Sequence, residues 1–321
     1  KKPENPVPNW PFICYNIERQ GCQVSWESDT YFVIMRKEEG LLMQSNIIVT
    51  SVVVVYLLVM LLIGYLSSKK IESNTDFVVA GRRLGPFLMA GTLAATEIGG
   101  GSSLGVVQQG MESHGLSAAW YIITMGFAFV ILTFLAPKFR AAMVKTVPEY
   151  FRRRYGKPSG IITSLIMFVP LIGLTAGQFI ASSVILSTML NMNYKTAVLI
   201  VGIVVTIYAI MGGLWSVTLT DFVQVFLIVV GMIIALPFGM NLAGGWNNVV
   251  SNVPAETFDI FKGYNVMDVI SLTIMYVATF TVGQEAVSRY YAARDGKAAR
   301  QGSILAAIVN FIYAFVPTLM G

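Results

Sequence analysis

Residues 86–112, PFLMAGTLAATEIGGGSSLGVVQQGME, are apolar over a length that suits a bilayer crossing, yet they carry Glu97 near the middle and Gly99, Gly100 and Gly101 directly after it. A glycine inside a helix costs about 1 kcal/mol against alanine. In lipid, each backbone N–H or C=O released from its helical partner costs several kcal/mol more, unless protein or a water-lined cavity satisfies it. The triplet therefore predicts a helix that breaks in mid-membrane, with the break facing a polar cavity. Secondary transporters use such midplane breaks to hold solutes and ions.

The rest of the chain supports a membrane setting. Charged residues make up 12% and hydrophobic residues 55% of the 321, with a mean hydropathy of +0.67; soluble domains are about 25% charged. Eight stretches are long enough to span: about 44–66, 86–111, 116–136, 160–190, 195–213, 221–243, 266–290 and 302–320. Continuous apolar runs of roughly 20 residues read as helices, since barrel strands alternate over about 10.

The net charge of +5 does not point to nucleic acid, because the basic residues fall on alternate loops. Fifteen Lys and Arg lie in the gaps at 69–83, 138–157 and 289–300, against Lys195 and Lys262 in the others. This is the positive-inside bias, and it places the N-terminus outside a cell membrane. His114 is the single histidine, which argues against a His-based metal site. No nucleophile–base–orienter set suggests an enzyme, and no short re-entrant filter suggests a channel.

Residues 1–40 are polar and proline-rich and hold both cysteines, Cys14 and Cys22. They read either as an external tail, in which the pair is free to form a disulfide, or as an extension foreign to the rest. VSWESDTYFVIM is compatible with a strand. Gln44–Leu66 reads as a lipid-facing helix. TVPEYFRRRYG reads as a short amphipathic helix begun at Thr146, its basic face on lipid headgroups. Gln178, among small residues, either bridges helices or lines a cavity. Gly212 and Gly213 are expected to stop one helix, and Thr220 to cap the next with Asp221 at its start. The loop 244–265 is expected to cover a vestibule.

Three segments together, AGRRLGPFLMAGTLAATEIGGGSSLG, YAIMGGLWSVTLTDFVQ and SRYYAARDGKAARQGSILAA, resemble the sodium:solute symporter family, from about residue 41 onward. The glycine triplet is most similar to the choline-transporter-like branch. The resemblance implies an all-α, LeuT-like five-plus-five inverted-repeat fold with one extra leading helix. Residues 86–112 would open the first repeat, 221–243 would close it, and 266 would begin the second, of which two of five helices would be present. It implies Na⁺ as coupling ion, held by backbone carbonyls at Ala95 and Ile98, with Asp221 near the inner exit. A small organic solute would meet Glu97, Ser102, Gln178, Phe280, Thr281 and Gln284, with Phe280 as the gating aromatic. Glu97 departs from the choline-like branch; it is expected to pair with a substrate amine or with the ion, or else to sit neutral against the backbone of the break. The other function implied is a transporter-like sensor module of a signalling protein.

Overall fold

The computed structural model describes residues 39–69 and 71–321. The chain divides into two compact units, 1–44 and 45–321, the second of which contains the spanning helices. The tail through residue 38, with Cys14, Cys22 and the strand-like VSWESDTYFVIM, lies outside the described residues.

The helices in chain order are α1 Glu39–Ser68, α2 Asn74–Val79, α3 Pro86–Glu97, α4 Gly100–Gln109, α5 Trp120–Ala141, α6 Val147–Tyr155, α7 Lys157–Leu190, α8 Tyr194–Leu242, α9 Trp246–Asn252, α10 Val266–Val282, α11 Gln284–Ala292, α12 Gly296–Tyr313 and α13 Phe315–Met320. Among the described residues the one β contact is a parallel bridge between Leu84 and Ala293. Five stretches are each long and apolar enough to cross a membrane: Ile47–Ser68, Ser102–Ala141, Lys157–Leu190, Ala209–Leu242 and Gly296–Met320. The α10–α11 pair, bent by 56°, makes a sixth, and Tyr194–Ile207 is a shorter apolar helix.

The core lies where α12 packs along α5 and α3, with α10 and α11 closing it. Lipid tails are as apolar as leucine, so helix association here depends on close approach and on hydrogen bonds. Small residues supply the approach. A Cβ at Gly302 would stand 2.4 Å from Met89 Cβ, and one at Gly126 would stand 2.6 Å from the Phe311 ring. Ser303 supplies the polar link: its Oγ donates to the Phe129 carbonyl at 2.7 Å and lies 2.9 Å from the Tyr290 hydroxyl. By contrast α7 and the later part of α8 turn large side chains outward, Val169 at 71% and Phe238 at 66% exposure. In a bilayer that surface costs nothing.

Several local expectations hold. Thr146 caps α6, accepting from Glu149 N–H at 3.2 Å, with Pro148 in the first turn. The first helix is not purely lipid-facing: Met60 is buried, and Tyr56 accepts from Gln224 Nε2 at 2.9 Å, fixing α1 to α8. The loop 244–265 docks on the turn after α4, where Trp120 Nε1 donates to the Ile260 carbonyl at 2.7 Å and His114 packs on Tyr264 with ring centroids 4.8 Å apart.

A second expectation, after that of a lipid-facing first helix, also fails. The turn expected between the fifth and sixth spans shrinks to Gly213 alone, at φ 49° and ψ −142°. Leu214 to Thr220 is already helical, and Thr220 Oγ1 donates backward to the Ser216 and Val217 carbonyls at 3.0 and 2.9 Å. Thr220 is thus no cap, and Asp221 lies two turns inside a helix, where the favourable dipole placement assigned to it does not apply. The apolar LWSVTLT carries no breaker, so the helix restarts directly after the glycine.

Gly213 is required twice over, by its left-handed φ and by space, since its Cβ would stand 2.4 Å from the Phe77 carbonyl oxygen. Gly213→Ala is expected to cost at least about 1–2 kcal/mol from backbone strain alone, read as a lowered thermal midpoint in detergent. Gly202→Ala, inside a helix with nothing within 4 Å of the new methyl, is expected to leave the midpoint unchanged or raise it.

Candidate functional site

The predicted break is present. After Glu97 the chain leaves the helix for two residues, Ile98 at φ −81° and ψ 95° and Gly99 at φ −139° and ψ −179°, and α4 begins at Gly100. These angles are ordinary extended backbone, so the triplet is not needed for its dihedrals. At Gly100 the missing side chain leaves lateral room. A Cβ at Gly100 would stand 3.2 Å from Ile185 Cδ1, and one at Gly99 would stand 3.7 Å from Gln178 Oε1. The break thus lies against α7, and Gln178 is the polar group of α7 that faces it.

Ser102 bridges the gap from within. Its Oγ donates to the Glu97 carbonyl. It also accepts from the Gly99 N–H at 3.1 Å, and the Gly99 carbonyl lies 3.2 Å away. In an unbroken helix the Gly99 N–H would serve the Ala95 carbonyl. Here it turns to Ser102, and Ala95 O loses that donor. Likewise, among the described residues no backbone N–H donates to the Ile98 carbonyl. Ile98 itself is buried, so this end of the break faces protein and not the acyl chains. The carbonyls of Thr96 and Glu97 lose their helical donors as well, and of the four Glu97 regains one, from Ser102; the two carbonyls expected to hold an ion are thus among those released at the break. Hard carbonyl oxygens of this kind suit Na⁺.

Beside the break, α3 is pressed against α8. A Cβ at Gly91 would stand 2.5 Å from the Phe222 ring. One residue along, Thr92 Oγ1 donates to Asp221 Oδ2 at 2.6 Å. The same oxygen lies 3.5 Å from Arg289 NH2 of α11, in an ion pair whose side chains are 17% and 14% exposed. Asp221 thus joins α3, α8 and α11. Arg289 also donates through NH1 to the Glu285 carbonyl. Glu285 and Arg289 are in turn the charged groups that act on Glu97, which ends α3 and is half-buried.

The second break falls at Gly283, where φ −64° and ψ 124° separate α10 from α11. The two interrupted elements are tied by backbone: Leu84 N–H donates to the Ala292 carbonyl at 3.2 Å, and Arg294 N–H donates to the Leu84 carbonyl at 2.9 Å.

The remaining expected site residues are placed differently. Phe280 is 2% exposed and stacks on Phe129 at 5.1 Å, packed in the core and not poised over an opening. Thr281 Oγ1 donates to the Val277 carbonyl at 2.6 Å, inside its own helix. Gln284 Oε1 accepts the Val147 N–H at 2.8 Å, which satisfies a free donor at the start of α6. Glu97, Ser102 and Gln178 are gathered at the first break; Phe280, Thr281 and Gln284 belong to the second. Thr92, Glu285 and Arg289 were not anticipated as site residues. Arg289 carried a signal, a basic residue inside an otherwise apolar spanning stretch, but it reads equally as a loop charge.

Two interrupted helices, joined backbone to backbone within a set of apolar helices long enough to cross a bilayer, define a helical membrane protein of the inverted-repeat kind. The chain belongs to the sodium:solute symporter family, whose model matches residues 77–320. It is 31% identical over 223 residues to the high-affinity proline transporter of Bacillus subtilis, covering 66% of this chain and 47% of that protein. It is 29% identical to the osmoregulated proline transporter of the same organism, covering 65% and 45%. It is 26% identical to the sodium/proline symporter of Staphylococcus aureus, covering 66% and 43%. The chain thus spans about half the length of these relatives. The fold matches a Na⁺-coupled sialic acid symporter solved in a substrate-bound outward-open state, with a TM-score of 0.72 at 20% identity, over 85% of this chain and 60% of that one. The finer likeness expected from the glycine triplet, to the choline-transporter-like branch, draws no support from these relatives.

Asp221→Asn is expected to weaken the α3–α8–α11 junction by about 2 kcal/mol, the usual worth of a hydrogen bond to a charged group. Thermal unfolding in detergent measures it. Because Arg289 would then be left without its counter-ion, the double variant Asp221→Asn/Arg289→Gln should unfold at a higher temperature than the single one.

Proposed function

We propose that this chain carries the sodium-binding break, and part of the solute site, of a Na⁺-coupled symporter for a small organic solute in the cell membrane. The observation that carries the reading is the release of backbone carbonyls at an interrupted helix, Ala95 and Ile98 among them, with Ser102 taking the Glu97 carbonyl and the Gly99 N–H. Family membership and the names of the relatives support it, and those names make proline the first solute to test. Residues 41–321 would form the transmembrane domain, with the basic loops inside and the N-terminus outside, following the charge bias. Asp221 would sit on the ion's inner path, held ready by Thr92 and Arg289. Glu97, ending α3 beside Glu285 and Arg289, would pair with a substrate ammonium or with Na⁺. Gln178, facing Gly99, would line the solute side. The packed Phe280 argues for a structural role, with gating left to another group.

The test is uptake of proline and a small solute panel into proteoliposomes, with and without an inward sodium gradient, using the full protein as its gene encodes it. Uptake is expected to need the gradient. Glu97→Gln removes a charge-assisted contact worth about 1.5–3 kcal/mol, so apparent affinity for solute or sodium should fall about tenfold to a hundredfold. Unchanged affinity for both would remove Glu97 from the site, and gradient-independent uptake would overturn symport.

A further inference from the structure

Between α2, α6 and the start of α7 lies an open cleft of about 470 Å³, lined among others by Asn74, Lys145, Arg152, Lys157, Ile161 and Ser164. We propose that this cleft binds the phosphate headgroup of an anionic phospholipid, whose acyl chains run along α7.

The charge balance comes first. Lys145, Arg152 and Lys157 carry no hydrogen bond or salt bridge through their side chains among the described residues. Glu149 is the one acid in the lining, and it is already engaged. Its Oε1 takes Arg153 NH2 at 2.6 Å and its Oε2 takes the Lys145 N–H at 2.7 Å. Burial alone would raise its pKa, but the Lys145 N–H and the Arg153 guanidinium outweigh that and hold it below the usual carboxylate value. It stays ionised and paired. Arg152 acts on the same carboxylate from a distance, so the cleft is left with three cations, Lys145, Arg152 and Lys157, sharing one carboxylate that Arg153 already holds.

The placement of Lys157 also needs a reason. Arg152, Arg153 and Arg154 end α6, where cations suit the helix dipole. Lys157 begins α7, where a cation opposes it. Helix stability explains the arginines and not the lysine; the positive-inside bias puts a cation in this segment, and an anion bound in the cleft would offset its unfavourable place at the helix start.

The cleft is built into the fold. Gly156, at φ 91°, turns the chain between the two helices, and a Cβ at Gly160 would stand 2.7 Å from Arg152 Cβ and 3.2 Å from the Pro148 carbonyl oxygen. Only glycine lets α6 fold so closely over the first turn of α7. Beyond the cleft, α7 continues as an exposed apolar strip of Ile161, Ile162, Leu165, Ile166 and Val169. A soluble phosphate has no use for that strip, whereas a diacyl lipid does. Occupancy would bear on the transport core, because α6 begins at Val147, whose N–H is held by Gln284 at the second break.

The test is native mass spectrometry of the purified protein in neutral detergent, titrated with phosphatidylglycerol or phosphatidylcholine of matched chains. Phosphatidylglycerol is expected to be retained preferentially. Lys145→Gln/Arg152→Gln/Lys157→Gln should weaken its retention at least about tenfold, while Lys138→Gln/Lys297→Gln/Arg300→Gln, with the same charge change at the ends of α5 and α12, should not. Should the first triple aggregate, Lys157→Gln alone at its exposed helix start must still weaken retention. Equal retention of both lipids, an equal loss in the control triple, or no loss in either cleft variant overturns the proposal. Full displacement of phosphatidylglycerol by millimolar inorganic phosphate would also overturn it, by assigning the cleft to a soluble anion.

Discussion

The structure depends on how backbone hydrogen bonds are settled where no water is at hand. A helix crossing lipid satisfies its own amides and carbonyls, and any interruption must find replacements. At Ile98 and Gly99 the replacement is one hydroxyl, Ser102 Oγ, which serves the Glu97 carbonyl on one side and the Gly99 N–H on the other. By taking that N–H it frees the carbonyl of Ala95. The repair of the break and the release of the Ala95 oxygen are the same event, which is why an otherwise costly interruption can persist.

Glycine does different work at different places in this chain. At Gly213 it supplies a left-handed φ that lets α8 break within one residue. At Gly91, Gly126 and Gly302 it supplies none, and its value is the missing side chain: each lies where a methyl group would strike a neighbouring helix at 2.4–2.6 Å. With no hydrophobic drive between helices in lipid, these approaches are the main source of packing energy. They hold α3 between α8 and α12, so that the break is presented by a fixed support.

Asp221 then connects that support to the second interrupted helix. One oxygen receives both Thr92 and Arg289, and through Arg289 the junction reaches Glu285 and the field around Glu97. Gln284 makes a parallel connection outward to α6. The two breaks and the basic loop are thus linked by a short chain of single, directional contacts.

Much of this was legible in order along the chain. The apolar character of the helices, the break after Glu97 and the start of α6 at Thr146 are local matters: glycine clustering and a capping residue act on their immediate neighbours, whereas of the eight expected spans the described residues give five, or six with the bent pair. The family likeness was legible for the same reason, through short contiguous motifs. What the residues along the chain could not decide was partnership. Asp221 reads as a helix start until Gly213 is seen to restart the helix a full two turns earlier. Phe280 reads as a gate until Phe129, far away in sequence, is found stacked on it. Gln284 reads as a solute contact until the Val147 amide occupies it. The sequence by itself determined that this chain crosses a bilayer and that its helix breaks after Glu97. The tertiary structure alone decided which polar groups are already used and which remain free, because a hydrogen bond has a definite partner and that partner is chosen by packing between distant segments.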